Sequence, residues 1–366
     1  MKNILFLTAH LPSLNAGGEK FTYLLIENLS KNNNIDLIYF KYHSDHFYTC
    51  PNSNVKVLRV LNNSIPIKLR NALQHPTIHP IFTIRFEKRL LKYIKNILKS
   101  GKYDLVYLDH SQMFMYGKYL PNIKKILMSH DIMAQRYARK GNFICRRLVM
   151  REEKSLMQLP NCTVFTFSEK DNDIVAKYYG VHTKATHFFL DKIIIDAIPN
   201  KIERRIILMG KWNRPDNLNG LIWFLNNVSQ RLDKCLNIII FGKWMPDKIL
   251  KKIENLDNVE YLGFVKNPYS LIANSLAVIS PLFSGAGVKV KVVEALACGT
   301  PVIGTDIAFE GILTKDNAFM KIASDADEYV RSISNLNISV EERKHFKQKF
   351  LQEYENQDIV SYINNL

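Results

Sequence analysis

Short apolar runs, each followed by a segment with apolar residues at helical spacing, recur along the whole chain. In the first half the runs are 3–9 (NILFLTA), 36–41, 55–60, 103–109, 124–130 and 162–168. In the second they are 205–210 (RIILMG), 237–242 (NIIIFG), 259–265, 276–283, 301–306 and 319–324. Strands that are apolar throughout, rather than alternating, are those covered on both faces by helices, so the pattern predicts parallel sheets in an α/β, doubly wound chain. Between the two sets, 196–205 (DAIPNKIERR) has a proline, polar residues and charges but no periodicity. A boundary there divides the chain into domains 1–196 and 197–351, with a final helix, about 352–366, able to pack back on the first.

In such sheets ligands lie where strand ends meet helix starts. Three junctions carry glycine there. Gly17 and Gly18 precede a helix-like segment with Phe21, Leu24, Leu25 and Leu29 at helical spacing. Gly210 ends a strand, Lys211 follows, and a helix begins near Pro215. The third, 280–306, reads SPLFSGAGVKVKVVEALACGTPVIGTD. There Gly285 and Gly287 let the backbone approach a ligand closely. VKVKVV alternates as a strand would, yet VVEALA continues as a helix, with Gly299 as its stop and Pro301 beyond. A helix from about Gly287 puts Gly287, Lys291 and Glu294 on one face. A lysine near phosphates at the helix start, and a carboxylate further along to accept from ribose hydroxyls, suit a nucleotide. A Lys291–Glu294 surface pair is the plainer alternative.

Composition adds limits. With 366 residues and 47% hydrophobic content, the chain can bury two cores. The apolar stretch at the N-terminus is too short for a membrane span and suits a strand, so a cytoplasmic location is expected. The five cysteines have no Cys-x-x-Cys spacing, which speaks against a disulfide framework or zinc site and predicts core thiols. The acids of 171–173 (DND) are expected in the first turn of a helix capped by Ser168, rather than on a metal. His10, His110 and His130 are too dispersed in sequence to argue a metal site.

The net charge of +16 is uneven. Residues 1–200 hold 29 Lys and Arg against 15 Asp and Glu, and residues 201–366 hold 21 against 19. Such a field attracts phosphates. The segment 84–100 reads as an amphipathic cationic helix that either covers the first sheet or docks on an anionic membrane.

GAGVKVKVVEALACGTPVIGTD, followed by FEGI at 309–312, resembles the donor-binding segment of the retaining glycosyltransferases of family 4, which have the GT-B fold of two facing Rossmann-like domains with a cleft between them. GGEK at 17–20, SHD at 129–131, SEKD at 168–171, GKW at 210–212 and YLGFV at 261–265 extend the resemblance along the chain in the family's order. It implies a hexosyltransferase that moves a sugar from a nucleotide-diphosphate sugar to a glycan acceptor on a lipid, in bacterial surface-polysaccharide assembly, peripheral on the inner face of the plasma membrane. No metal or other cofactor is implied, since a helix N-terminus and lysines can stabilise the leaving diphosphate.

By the same resemblance, Glu294 binds the donor ribose, and Lys211 stands where an arginine often meets the diphosphate. His130 contacts the transferred sugar, and Gly17 and Gly18 form the loop facing donor and acceptor. Phe264 and Val265 supply the backbone that reads the base, and 241–244 (FGKW), with Gly242, walls the nucleotide pocket. The donor loop comprises Ser284, Gly285, Ala286, Gly287, Val288 and Lys289, followed by Lys291. Two departures stand out. Ala286 occupies the first position of the family's Glu-x7-Glu, which leaves backbone amides of 285–288 for the sugar. A lysine shortly after Lys211 is replaced by Asn217 and Asn219, so Lys289 or Lys291 supplies that charge. A nucleotide-sugar epimerase of the same architecture is one rival reading. A nucleic-acid-binding protein is the other, prompted by charge, but the chain lacks basic-aromatic interleaving or a reading motif.

Overall fold

A computed structural model describes residues 1–14, 17–139, 141, 143–312, 316–354 and 358–366. The chain forms two compact units, Met1–Phe189 with Gln357–Leu366, and Leu190–Asn356.

The first unit holds a wholly parallel sheet of β1 (Asn3–Thr8), β2 (Asn34–Lys41), β3 (Val55–Asn62), β4 (Leu105–Asp109), β5 (Lys124–Met128), β6 (Cys162–Thr166) and β7 (Lys184–Ala185), in the order β3-β2-β1-β4-β5-β6-β7. The second holds β8 (Glu203–Lys211), β9 (Asn237–Lys243), β10 (Val259–Tyr261), β11 (Ser275–Ser280), β12 (Val302–Gly304) and β13 (Met320–Ile322), ordered β10-β9-β8-β11-β12-β13. Each of the twelve apolar runs of the sequence overlaps one of these strands; β7, of two residues, is additional. In each sheet the order reverses beside the first strand, at β1/β4 and at β8/β11. Those switch points open crevices at the strands' C-terminal ends.

The central strands, such as β1, β4 and β11, are apolar nearly throughout because both faces are covered. Leu5, Leu7, Val106, Leu108, Leu127 and Val164 share a core with Leu90, Ile94 and Leu98 of the helix Lys88–Leu98. The cationic segment of the sequence therefore lays its apolar side on the sheet, leaving lysines outward. In the second unit Ile207, Val278 and Val302 pack with Val292, Val293 and Leu296 of the helix Val290–Ala297.

Three expectations change. The division falls at 189/190 rather than 196/197, because Ile194 joins the second unit's core and its carbonyl accepts from Lys347 Nζ (2.9 Å). The helix of the glycine junction starts at Val290, not Gly287. Gly285 (φ 116°) and Gly287 (φ 69°) are in the left-handed region and Lys289 is extended, so the loop runs three residues further before it can coil. Of the cysteines only Cys298 is buried; Cys50 and Cys235 are exposed and the other two half-buried. Ser168 does cap the helix Glu169–Tyr179, its Oγ accepting from Asp171 N at 3.1 Å. The last helix, Asp358–Asn365, lies in the first unit, with Ile359 and Ile363 wholly buried. Among the described residues no helix is long and apolar enough to cross a membrane.

Candidate functional site

In the first unit the switch point is built from the paired strand ends Thr8 and Asp109. Asp109 is fully buried. Its Oδ2 accepts from the hydroxyls of Thr8 (2.9 Å) and Thr22 (2.7 Å), and its Oδ1 is 2.8 Å from His130 Nε2. Burial alone would raise the Asp109 pKa; the neighbouring imidazoles His110 and His130 and the hydrogen bonds from His130 and Thr22 outweigh it and hold it down to about 2. An ionised carboxylate only accepts, so the proton between them sits on His130 Nε2, and Nδ1 points the other way.

That other side is Gly18. A Cβ at Gly18 would lie 3.2 Å from His130 Nδ1 and 3.3 Å from His110 Cε1, so only glycine leaves the start of the helix Gly17–Leu29 beside the ring without crowding it. His110 stacks on His130 with ring centroids 3.5 Å apart, and His10 meets His110 edge-on at 4.9 Å. Burial and the adjacent His130 push His110 down to about 3, so it is neutral. Its backbone stands at φ 67°, strained for a residue with a Cβ.

The fold thus collects three histidines that are far apart in sequence, because β1, β4 and β5 end at one edge of the sheet. Asp109, His110 and His130 each offer one potential metal-ligand atom within 4.8 Å of the others. Both Nε2 atoms lie toward the Asp109 carboxylate, that of His130 2.8 Å from Oδ1 and that of His110 3.5 Å from Oδ2, and the carboxylate already accepts from two hydroxyls and His130.

In the second unit Gly210 and Lys211 end β8, and Gly242 and Lys243 end β9. A Cβ on Gly242 (φ 138°) would meet Gly210 O at 1.8 Å. The two strand ends are therefore as close as backbone allows. Exposed rings lie above lysines here: Lys211 Nζ is 5.7 Å from the Trp244 ring and Lys243 Nζ 4.0 Å from Phe264. Trp244 is held at φ 61°. Val265 and Val288 turn their side chains to the core, so those two positions can offer only backbone.

Lys291, in the first turn of the Val290–Ala297 helix, donates to Met209 O (3.3 Å) and Asn217 Oδ1 (3.1 Å), and Asn217 Nδ2 donates to Lys211 O (3.1 Å). Asn217, standing where the family pattern has a lysine, thus holds one in place. Burial first, then Arg214 and Lys289, push the Lys291 pKa down to about 7, with Asp216 opposing. Lys289 Nζ reaches the carbonyls of Ala286 and Gly287 and lies 3.7 Å from Glu310. Ser284 Oγ donates to Asp216 (2.5 Å). One helical turn beyond Lys291, Glu294 Oε1 accepts from the Tyr269 hydroxyl (3.0 Å), which fixes the direction of the carboxylate. Glu294 and Lys291 therefore share a face without serving as a simple surface pair.

The structure brings Gly210, Lys211, Gly242, Ser284 to Lys289, Lys291 and Glu294 to one edge of the second sheet, and Gly17, Gly18 and His130 to one edge of the first. Sequence reasoning missed Asp109, Thr8, Thr22 and His110 in the first unit, and Arg214, Asp216 and Tyr269 in the second. The only available signal for Asp109 was a carboxylate closing an otherwise apolar strand.

Residues 203–337 match the family model described as Glycosyl transferases group 1. A curated relative, described as an uncharacterized 44.6 kDa protein in the cps region of Klebsiella pneumoniae, is 24% identical over 296 residues, 74% of this chain and 71% of that protein. HepE from Anabaena, solved with UDP and glucose, is similar with a TM-score of 0.70 and 14% identity over all of both chains. Sucrose-phosphate synthase from Thermosynechococcus elongatus gives 0.68 and 12%, over 100% of this chain and 98% of that one. WaaG, described as a glycosyltransferase involved in lipopolysaccharide biosynthesis, gives 0.66 and 14%, over 98% and 96%. These structures show the GT-B fold for the chain, and residues 203–337 of its second unit match the Glycosyl transferases group 1 family model.

Proposed function

We propose that the protein is a retaining transferase that takes a sugar from a nucleoside-diphosphate donor and passes it to a glycan carried on a lipid, in the assembly of a bacterial surface polysaccharide. The observation that carries the donor half is the placement of Lys291 and Glu294. A desolvated lysine lies beneath a loop with two left-handed glycines, and a fixed carboxylate lies one turn along the same helix. A diphosphate at the loop would meet backbone amides, the N-terminal turn of the helix and the Lys211 and Lys291 ammonium groups, while its ribose hydroxyls would donate to Glu294. Departure of the diphosphate is then stabilised by fixed donors and cations, without a metal. The sugar would face backbone amides at 285–288, since Ala286 has no polar side chain.

The acceptor half is supported by the relative's cps-region description and by the lipopolysaccharide role given for WaaG. In this reading His130, its tautomer set by Asp109, presents Nδ1 to a sugar hydroxyl. The protein would work at the cytoplasmic face of the membrane as a peripheral enzyme.

The test is a melting-temperature screen against UDP-, GDP-, ADP- and CMP-sugars, since a bound ligand raises apparent stability with the logarithm of its occupancy. Turnover is then measured with and without a chelator. Glu294→Ala is expected to abolish both the ligand shift and transfer; unchanged turnover would sink the assignment of this site, and turnover lost to the chelator would sink its independence of metal.

A further inference from the structure

Among the described residues two arginines are buried, Arg85 (4% exposed) and Arg343 (0%). Arg343 serves the fold: its Nη1 and Nη2 donate to the carbonyls of Ser275 (2.6 Å) and Leu276 (2.7 Å). Arg85 makes no such contact among the described residues, and its Nε is enclosed without a hydrogen-bond partner. Between Asp45 and Asp104 the chain's only acid is Glu87, and that carboxylate lies 3.9 Å from Arg70. Burial pushes Arg85 down to about 10, with Tyr42 opposing, so the group keeps its charge at neutral pH. Taking a guanidinium out of water with no counter-charge is costly, and a ligand's anion would relieve that cost.

The backbone holds this arginine firmly. Arg85 lies in the turn between the helices Pro80–Thr83 and Lys88–Leu98. Its carbonyl accepts from the Tyr116 hydroxyl (2.7 Å), the same hydroxyl accepts from Glu87 N (2.9 Å), and Ile84 O accepts from Asn71 Nδ2 (3.1 Å). Phe82 and Phe86, on either side, share a core with Met113, Phe114 and Tyr116. Those residues follow closely on His110, which itself follows the end of β4, so the packing carries Arg85 to the crevice of the first sheet. The positive charge of Arg85 is felt at His110, whose protonation it opposes. Tyr42, which follows the end of β2, is 45% exposed, and its hydroxyl accepts from Lys68 Nζ at 3.0 Å, which adds a second cation at this edge.

We propose that Arg85 recognises an anionic group, a carboxylate or a phosphate, on the acceptor, so that the acceptor is an acidic glycan. The guanidinium offers a planar fork of donors that suits either oxyanion, and the surrounding turn holds that fork in place before the ligand arrives. The proposal rests on the reading of the first unit as the acceptor side, and it names the chemistry that this side selects.

The experiment follows melting of the full chain by far-ultraviolet circular dichroism with methyl glucuronide, glucose 6-phosphate or methyl glucoside, at one ionic strength set with sodium chloride. The glucuronide should stabilise the wild type if the group is a carboxylate, the sugar phosphate if it is a phosphate, and the neutral glucoside should do neither. Arg85→Met should weaken the response to the effective probe about tenfold or more. Without a probe it should melt at the wild-type temperature or above, because an unpaired buried charge is gone. An arginine needed only by the fold would give the reverse, a lower melting temperature with the probe response kept. If Arg85→Met fails to fold, Arg85→Lys decides: it keeps the charge and loses the fork, so its response should be weaker, and an unchanged response overturns the proposal. Lys291→Met, in the second unit, should respond as the wild type does; loss of the response there would move the anion to the donor loop and overturn the proposal. It is likewise overturned if neither charged probe stabilises the wild type or if the glucoside does so equally. A probe response in a protein that no nucleotide sugar stabilises would sink the donor reading and leave this one standing.

Discussion

At the scale of single residues, Lys291 makes the sharpest statement. Its pKa of about 7 lies below the ordinary lysine value of 10.5, so between the two the unfolded chain holds a proton that the folded chain lacks. Stability therefore rises with pH across that window and is lowest, from this group, at and below about 7. A diphosphate beside the ammonium would restore the proton. Nucleotide binding is accordingly expected to take up a proton and to weaken as pH rises above 7, which calorimetry in buffers of different ionisation enthalpy measures. Lys291→Met should remove the uptake and lower affinity about tenfold or more, while leaving the melting temperature unchanged or raised, because a desolvated cation gives way to an apolar side chain. A lower melting temperature with unaltered proton uptake would refute this account. His130 poses a different question: His130→Ala should cut turnover about a hundredfold while leaving nucleotide affinity within a few-fold, since the ring is assigned to the sugar and not the phosphates. Equal losses in both would remove that assignment. Glu294 and Lys291 were legible in sequence because their helix is amphipathic with two misplaced charges. Asp109 and His110 were not, because a buried carboxylate on a strand end is recognised only once β1 and β5 supply Thr8 and His130.

At the scale of elements, strands were readable because parallel strands buried on both faces need no alternation to be recognised. β7 was not readable, since two residues carry no pattern. The alternating stretch 288–293 fits either period, and the left-handed glycines before it, rather than its own pattern, set where the helix begins. Close backbone approach is what glycine supplies here, and Gly242 tests it. Its φ of 138° and a would-be Cβ contact of 1.8 Å with Gly210 O mean that Gly242→Ala must separate the ends of β8 and β9. A loss of about 2–5 kcal/mol is expected from the clash and the backbone strain together. Gly180, at φ 66° with nothing within 4 Å of its would-be Cβ, isolates the strain, and Gly180→Ala should cost only about 1–2 kcal/mol. Denaturant titration of both variants decides the point, and equal losses would mean that the close approach of β8 to β9 is not constrained.

At the scale of the whole molecule, the chain crosses back: its last helix completes the unit that its first strand begins. Ile359 and Ile363 are fully buried there, the Tyr362 hydroxyl is 2.8 Å from Thr163 Oγ1, and Asn33 Nδ2 donates to Asn364 Oδ1 (2.8 Å). Sequence could place this helix by its period but not choose its partner, because the residues it covers belong to strands and loops some two hundred or more positions earlier. The tryptophans offer a way to watch one unit alone. Trp212, Trp223 and Trp244 are the chain's three, and all lie within Leu190–Asn356. Ile363→Ala should destabilise the first unit by about 2–5 kcal/mol, as a large-to-small change in a packed site does. Far-ultraviolet circular dichroism, which sees both units, should then show an earlier partial transition, while tryptophan fluorescence should unfold where it does in the wild type. A nucleoside diphosphate should do the converse and move the fluorescence transition upward, because its proposed ligands all lie in the second unit. If Ile363→Ala shifts the fluorescence and dichroism transitions by the same amount, the two units unfold as one cooperative body and the separate reading of their stabilities fails.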